Sequence, residues 1–164
     1  MKNIRKVTED VIYVGADDRK LDLFEGHLPI SYGVSYNSYL ITDEKTCLMD
    51  TADSSVTRQF IENVQGALDG RKLDYLVVLH MEPDHCYNIE QIVLRHPECQ
   101  VVGNEKTFDF IANFFPDLDL EGKKVVVSEG DVLDLGKHKL KFIFAPMVHW
   151  PEVMIAYDVT SQLL

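Results

Sequence analysis

Asp74-Tyr75-Leu76-Val77-Val78-Leu79-His80-Met81-Glu82-Pro83-Asp84-His85 is the stretch from which the rest of the chain can be read. Its first half is a continuous apolar run of strand length, the pattern of a strand covered on both faces. Its second half puts two imidazoles and two carboxylates into the six residues from His80 to His85. Taking such groups out of water in one loop is costly unless a cation organises them. In an extended stretch, alternate residues would turn His80, Glu82 and Asp84 toward one side. Nitrogen and carboxylate donors without thiolate favour iron or manganese, and zinc is also compatible. The competing reading is a solvated acidic turn in which His85 caps the following helix.

Upstream, Val11 to Gly15 reads as a short strand. The run Ser35 to Thr42, an Asp43-Glu44-Lys45 turn and the run Thr46 to Asp50 read as a hairpin. Asp53 or Ser54 can cap a helix to about Leu68, with Val56, Phe60, Ile61, Val64 and Leu68 on one face and Gly70 closing it. Downstream, a helix from Ile89 to Leu94 stops at His96-Pro97; a strand from Gln100 to Gly103 and a helix from Glu105 to Phe115 follow. Three alternating runs, Val125 to Ser128, Asp131 to Leu135 and Lys139 to Ala145, predict antiparallel strands, and Val153 to Tyr157 predicts a last one. The pattern is that of one α/β folding unit. Its apolar periodicity is still running at Leu163-Leu164, which reads as an interrupted domain.

The segment Ala145-Pro146-Met147-Val148-His149-Trp150-Pro151 puts a histidine at the end of a distant predicted strand, between two prolines that stiffen its loop. A ligand from a distant strand end is a common way of completing a metal site, so His149 strengthens the metal reading of the first loop. Composition narrows the partners. The 164 residues are 46% hydrophobic, which excludes a disordered chain, and 16 basic against 27 acidic residues leave a formal charge of −11. That field repels phosphate backbones and anionic lipid, so neither nucleic acid nor a membrane is expected as a partner. No apolar run approaches the roughly 20 residues of a membrane span. Met1-Lys2-Asn3-Ile4-Arg5-Lys6 leads into polar sequence, and the expected location is the cytoplasm. Cys47, Cys86 and Cys99 fit no disulfide framework or Cys-x-x-Cys pair and read as reduced packing thiols.

Taken together, His80-x-Glu82-x-Asp84-His85 and, 63 residues later, His149, with the flanking segments S-Y-N-S-Y-L-I, L-M-D-T and P-M-V-H-W-P-E-V-M, resemble the flavodiiron proteins along the whole chain. The resemblance implies a metallo-β-lactamase-like αββα sandwich, an α/β (α+β) fold. Residues 1–164 would form the first part of that domain, truncated in its second half, with the flavodoxin-like domain absent. It further implies two non-haem irons that reduce nitric oxide to nitrous oxide, or dioxygen to water. The electrons come from FMN or a rubredoxin-like donor, and the chains form head-to-tail homo-oligomers. By the family's motif, His80, Glu82 and His149 match ligands of one iron, Asp84 matches a ligand of the second, and His85 matches a position that binds iron in some members. Zinc hydrolases of the same fold carry His-x-His-x-Asp-His. Glu82 in place of the second histidine supplies an anionic oxygen and points away from hydrolysis.

The chain departs from the family pattern in lacking the bridging aspartate, due about four residues past Leu164, and a later histidine; Asp158 lies too close to His149 to match it. Cys86-Tyr87 stands where many members carry a small residue and glycine. The alternatives to a working reductase are a metal-dependent hydrolase and a non-catalytic truncated product. His27 resembles a catalytic histidine on the substrate side of the irons, or is a loop residue. Asp50 reads as a carboxylate orienting a histidine ligand, or as a turn residue. Cys86 reads as packing, His96 and His138 as exposed, and Trp150 as a wall of the site or a core filler.

Overall fold

The computed structural model describes residues 3–24 and 26–163. In chain order the strands are β1 (Arg5–Lys6), β2 (Val11–Tyr13), β3 (Ala16–Asp18), β4 (Leu23–Phe24), β5 (Leu28–Pro29), β6 (Val34–Tyr36), β7 (Tyr39–Thr42) and β8 (Thr46–Met49). A 3-10 turn (Ser54–Val56) and helix α1 (Thr57–Leu68) precede β9 (Tyr75–Val77), the single turn α2 (Pro83–Cys86) and α3 (Ile89–Arg95). Then come β10 (Gln100–Gly103), α4 (Glu105–Phe114), β11 (Lys124–Val126), β12 (Val132–Asp134), β13 (Lys139–Phe144) and β14 (Met154–Asp158).

Seven strands form a mixed sheet in the order β1-β2-β7-β8-β9-β10-β11, antiparallel up to β8 and parallel from β8 onward. A second sheet, β12-β13-β14, is antiparallel. Because strand side chains alternate between faces, each central strand serves two cores. Leu40, Leu48, Leu76 and Val101 meet Phe60, Val64, Ile92 and Phe108 of the helices. Their neighbours Ile41, Cys47, Val77 and Val102 meet Leu140, Phe142 and Met154 of the second sheet. The layers are therefore helix, sheet, sheet, which accounts for the unbroken apolar run at 75–79. A Leu48→Ala or Leu76→Ala change in this core costs about 2–5 kcal/mol.

The predicted apolar face of α1 is buried at Val56, Phe60, Ile61, Val64 and Leu68. Asp53 Oδ1 accepts from Ser55 N at 2.8 Å, and the helix closes on left-handed Asp69 and Gly70. All three cysteines are buried free thiols, as read.

Four expectations are corrected. The single strand at 35–42 is two, because the chain bends at Asn37-Ser38, where Ser38 O accepts from Val14 N and Gly15 N. The run at 125–128 is not antiparallel: α4 carries the chain back across the sheet, so β11 lies parallel to β10. His138 is 1% exposed, because its ring enters a buried cluster between Asp10 and Asp158. His96 is half-buried at the end of α3, and burial lowers its pKa.

Candidate metal centre

The site forms where the two sheets meet. Beyond β9, Val78 N still bonds Val102 O of the large sheet at 2.9 Å, while Leu79 O accepts from Met154 N of the second sheet at 3.1 Å. Leu79 thus ties both layers together, and His80 emerges at the seam. Glu82 is still extended, but Pro83 starts the turn α2 at its first helical position. The expected extended course through Asp84 is therefore corrected: α2 swings Asp84 and His85 away from the line of His80 and Glu82. The turn is pinned from outside, since His85 O accepts from Thr51 N at 2.8 Å and Thr51 Oγ1 at 2.7 Å.

His80, Glu82 and His149 converge. His80 Nε2 lies 3.1 Å from Glu82 Oε2 and 3.2 Å from His149 Nε2, and His149 Nε2 lies 3.0 Å from the same Glu82 oxygen. Among the described residues these three form the one group whose donor atoms could close on a single ion. A triangle of that edge leaves each atom within about 2 Å of a common point, the bond length of a first-row metal to histidine nitrogen or carboxylate oxygen. Two histidines and one carboxylate on one face are the donor set of non-haem ferrous iron, with the opposite face open to other ligands. His80 and Glu82 are buried, whereas the His149 side chain is 64% exposed and closes the set from the solvent side.

Asp84 and His85 form a second group beside the first. His85 Nε2 is 3.7 Å from Asp84 Oδ2, and the His85 and His80 rings lie 5.3 Å apart. His85 Nδ1 is 3.0 Å from Asp50 Oδ2, so Asp50 does face a histidine, while Asp53 does the capping. Left-handed backbone at Asp50 (φ 53) turns that carboxylate, and its other oxygen accepts from Leu79 N at 2.7 Å. Burial works to lower the His85 pKa, but the hydrogen bond and charge of Asp50, with Asp84 and Glu82, outweigh it and raise it to about 9. Burial raises the Asp84 pKa against the pull of His85, and Asp84 Oδ1 is buried without a hydrogen-bond partner. An orphaned carboxylate oxygen beside three converging acceptor atoms is a donor set that fits cations.

Trp150, for which walling the site and filling the core are the alternatives, lies between the two. Its ring meets His80 edge-on at 5.3 Å and Phe110 of α4 at 6.0 Å, so it walls the site and continues the core. Cys86 packs, with Sγ 3.2 Å from Met81 O and burial raising its pKa to about 12. His27 is exposed in the turn between β4 and β5, outside the three-residue group. Its hairpin reaches the site nonetheless: Phe24 and Gly26 line a cavity of about 310 Å³ together with Glu82 and Asp84. Sequence reasoning missed Glu152, whose carboxylate is fully buried 2.7 Å from His80 Nδ1. The only signal was an acid three residues after His149 in an otherwise apolar segment.

A family model described as ODP family beta lactamase matches residues 34–164. The "Nitric oxide reductase" of Moorella thermoacetica is 35% identical over 96% of this chain and 39% of its own length. Among solved structures, rubredoxin oxygen:oxidoreductase from Desulfovibrio gigas superposes with a TM-score of 0.88 and 28% identity, over 95% of this chain and 38% of that one. The flavodiiron protein from Giardia intestinalis superposes with a TM-score of 0.86 and 25% identity, over 95% of this chain and 37% of that one. The chain spans about a quarter to two fifths of the length of the curated relatives it matches. With the family model covering most of its residues and its fold that of the metallo-β-lactamase-like part of flavodiiron proteins, the chain belongs to the ODP family of beta lactamases.

Proposed function

We propose that this chain is the iron-holding part of a flavodiiron oxidoreductase that reduces nitric oxide to nitrous oxide or dioxygen to water. The observation that carries the reading is the convergence of His80 Nε2, Glu82 Oε2 and His149 Nε2 within 3.0–3.2 Å of one another. These three residues would hold one iron, and Asp84 with His85 would offer donors to a second. When bound, such irons supply electrons and Lewis acidity to the gaseous substrate. The chain's own residues prepare the place. The Trp150 ring covers one side of His80, Asp50 faces His85 Nδ1 and would leave Nε2 for a metal, and His27 would donate a hydrogen bond to substrate oxygen from the solvent side.

Residues 1–164 are then the first part of a metallo-β-lactamase-like domain. Turnover belongs to the whole protein, with FMN and a rubredoxin-type donor supplying electrons, a homo-oligomeric assembly and a cytoplasmic setting. Names such as nitric oxide reductase and rubredoxin oxygen:oxidoreductase among its relatives support gaseous substrates and that class of donor. Among the described residues no helix is long and apolar enough to cross a membrane.

The test is to load the purified chain with ferrous iron without oxygen, count the bound metal, and add nitric oxide under electron paramagnetic resonance. At least one iron per chain with a nitric-oxide-dependent signal is expected, without sustained nitric oxide consumption. Retention of zinc alone together with hydrolysis of a phosphodiester would overturn the reading in favour of the hydrolase.

A further inference from the structure

We infer that Glu152 is the positioning residue that makes His80 ready to bind metal, by holding the His80 proton on Nδ1 and leaving the Nε2 lone pair turned toward Glu82 and His149. The inference rests on the reading of His80 as a ligand and adds a residue that the metal motif does not contain. Glu152 is 0% exposed and stands 72 positions from His80, on the loop that brings in His149. Its Oε1 lies 2.7 Å from His80 Nδ1 and accepts from Met81 N at 2.9 Å. Because Oε1 already acts as the acceptor for the Met81 N–H, the proton at its contact with Nδ1 belongs to His80. One oxygen that takes donors from two consecutive residues sets the ring plane as well as the tautomer.

Glu152 is itself held on both sides. Asn104 Nδ2 donates to Glu152 O at 2.6 Å, while Asn104 Oδ1 caps α4 by accepting from Thr107 N at 3.0 Å. Two residues on, Met154 N bonds Leu79 O at 3.1 Å. The loop carrying His149 and the strand end carrying His80 are thereby clamped to each other and to the start of α4. Glu152 Oε2 is buried with no hydrogen-bond partner. A group present only to satisfy Met81 N would need a single neutral acceptor. A full carboxylate, half of it unsatisfied, is costly in the core unless it strengthens an imidazole as a ligand, which is what a carboxylate behind a metal-bound histidine does.

The test uses the whole 164-residue chain and the variants Glu152→Gln and Glu152→Ala. In the metal-free protein, long-range nitrogen–proton NMR should show wild-type His80 protonated at Nδ1, with the Nε2-protonated tautomer rising in Glu152→Ala. Affinity for cobalt(II), read from its visible bands, should fall about 10- to 100-fold in the variants. Glu152→Gln keeps an acceptor for Met81 N, so it decides the matter if Glu152→Ala does not fold. A wild-type His80 protonated at Nε2, or cobalt(II) bound by Glu152→Gln as tightly as by wild type, would overturn the inference. If the wild type bound no metal, the iron reading would fail and the tautomer alone would decide the role of Glu152.

Discussion

At one end of β14, His80 turns one ring nitrogen to Glu152 and the other toward Glu82 and His149; at the other end, His138 turns Nδ1 to Asp158 at 2.6 Å and Nε2 toward Asp10 Oδ2 at 3.0 Å. Both histidines are buried and both face two carboxylates. The difference lies in how donors and acceptors balance. Around His138 each ring nitrogen faces a carboxylate, which favours the charged ring, and Lys137 Nζ adds a cation 2.6 Å from Asp10 Oδ2. The cluster carries its own positive charge and ties the β1–β2 turn to the second sheet. Around His80 one ring nitrogen faces Glu152, and the other faces Glu82 Oε2 and His149 Nε2 together. There a bound cation would answer the converging donor atoms. Residue types that look alike in composition thus build an internal clamp in one place and a group that could hold a cation in the other.

The largest contrast is expected from removing one carboxylate at the metal end. Glu82→Ala should abolish stoichiometric iron binding while leaving the metal-free fold intact, as read by metal analysis beside circular dichroism; iron retained at wild-type stoichiometry would remove the distinction between the two clusters. The clamp should respond the opposite way. His138→Gln leaves Asp10 and Asp158 facing each other without the imidazolium, and breaking such a buried pair costs about 3–5 kcal/mol. Urea denaturation should show that loss with iron stoichiometry unchanged.

The smallest effect is the pH dependence, and its sign follows from the clamp. Burial works to lower the His138 pKa, but its hydrogen bonds to Asp158 and Asp10 raise it above the ordinary 6.5. Its stabilisation is therefore fully present below about pH 6.5 and is lost as pH rises through the higher folded value. Burial works to raise the Asp158 pKa, but hydrogen bonds from Ser161 and His138 bring it down from 3.8 to about 2. Its contribution, on the order of 2 kcal/mol, is present above pH 3.8 and lost as pH falls through about 2. The stability gap between wild type and His138→Gln should narrow on the alkaline side, and Glu82→Ala should keep the wild-type slope. A gap that widened with rising pH would reverse the protonation assigned to His138.

How much of this was legible beforehand depends on range. The loop His80-x-Glu82-x-Asp84-His85 reads as a source of metal ligands because local spacing crowds groups that water would otherwise keep apart, and the approach of His149 to His80 and Glu82 accords with its place at a stiffened strand end. The turn at Pro83 was misjudged, because alternation holds only while the backbone stays extended and a proline at a first helical position ends that. His138 was misjudged because a Gly-Lys-His-Lys turn carries no sign of partners at positions 10 and 158. Glu152 was missed for the same reason: its partner stands 72 residues away.

The sequence by itself determined the layered α/β fold, through the two-sided apolar strand at 75–79 and the 3.6-residue face of α1, since periodicity is a local property of the chain. It also determined which residue types gather after β9. Only the tertiary structure decided which of them share a point in space, which histidine nitrogen is left to bind, and which carboxylates are answered by a cation inside the protein. Those outcomes depend on how residues far apart in sequence meet where the two sheets come together.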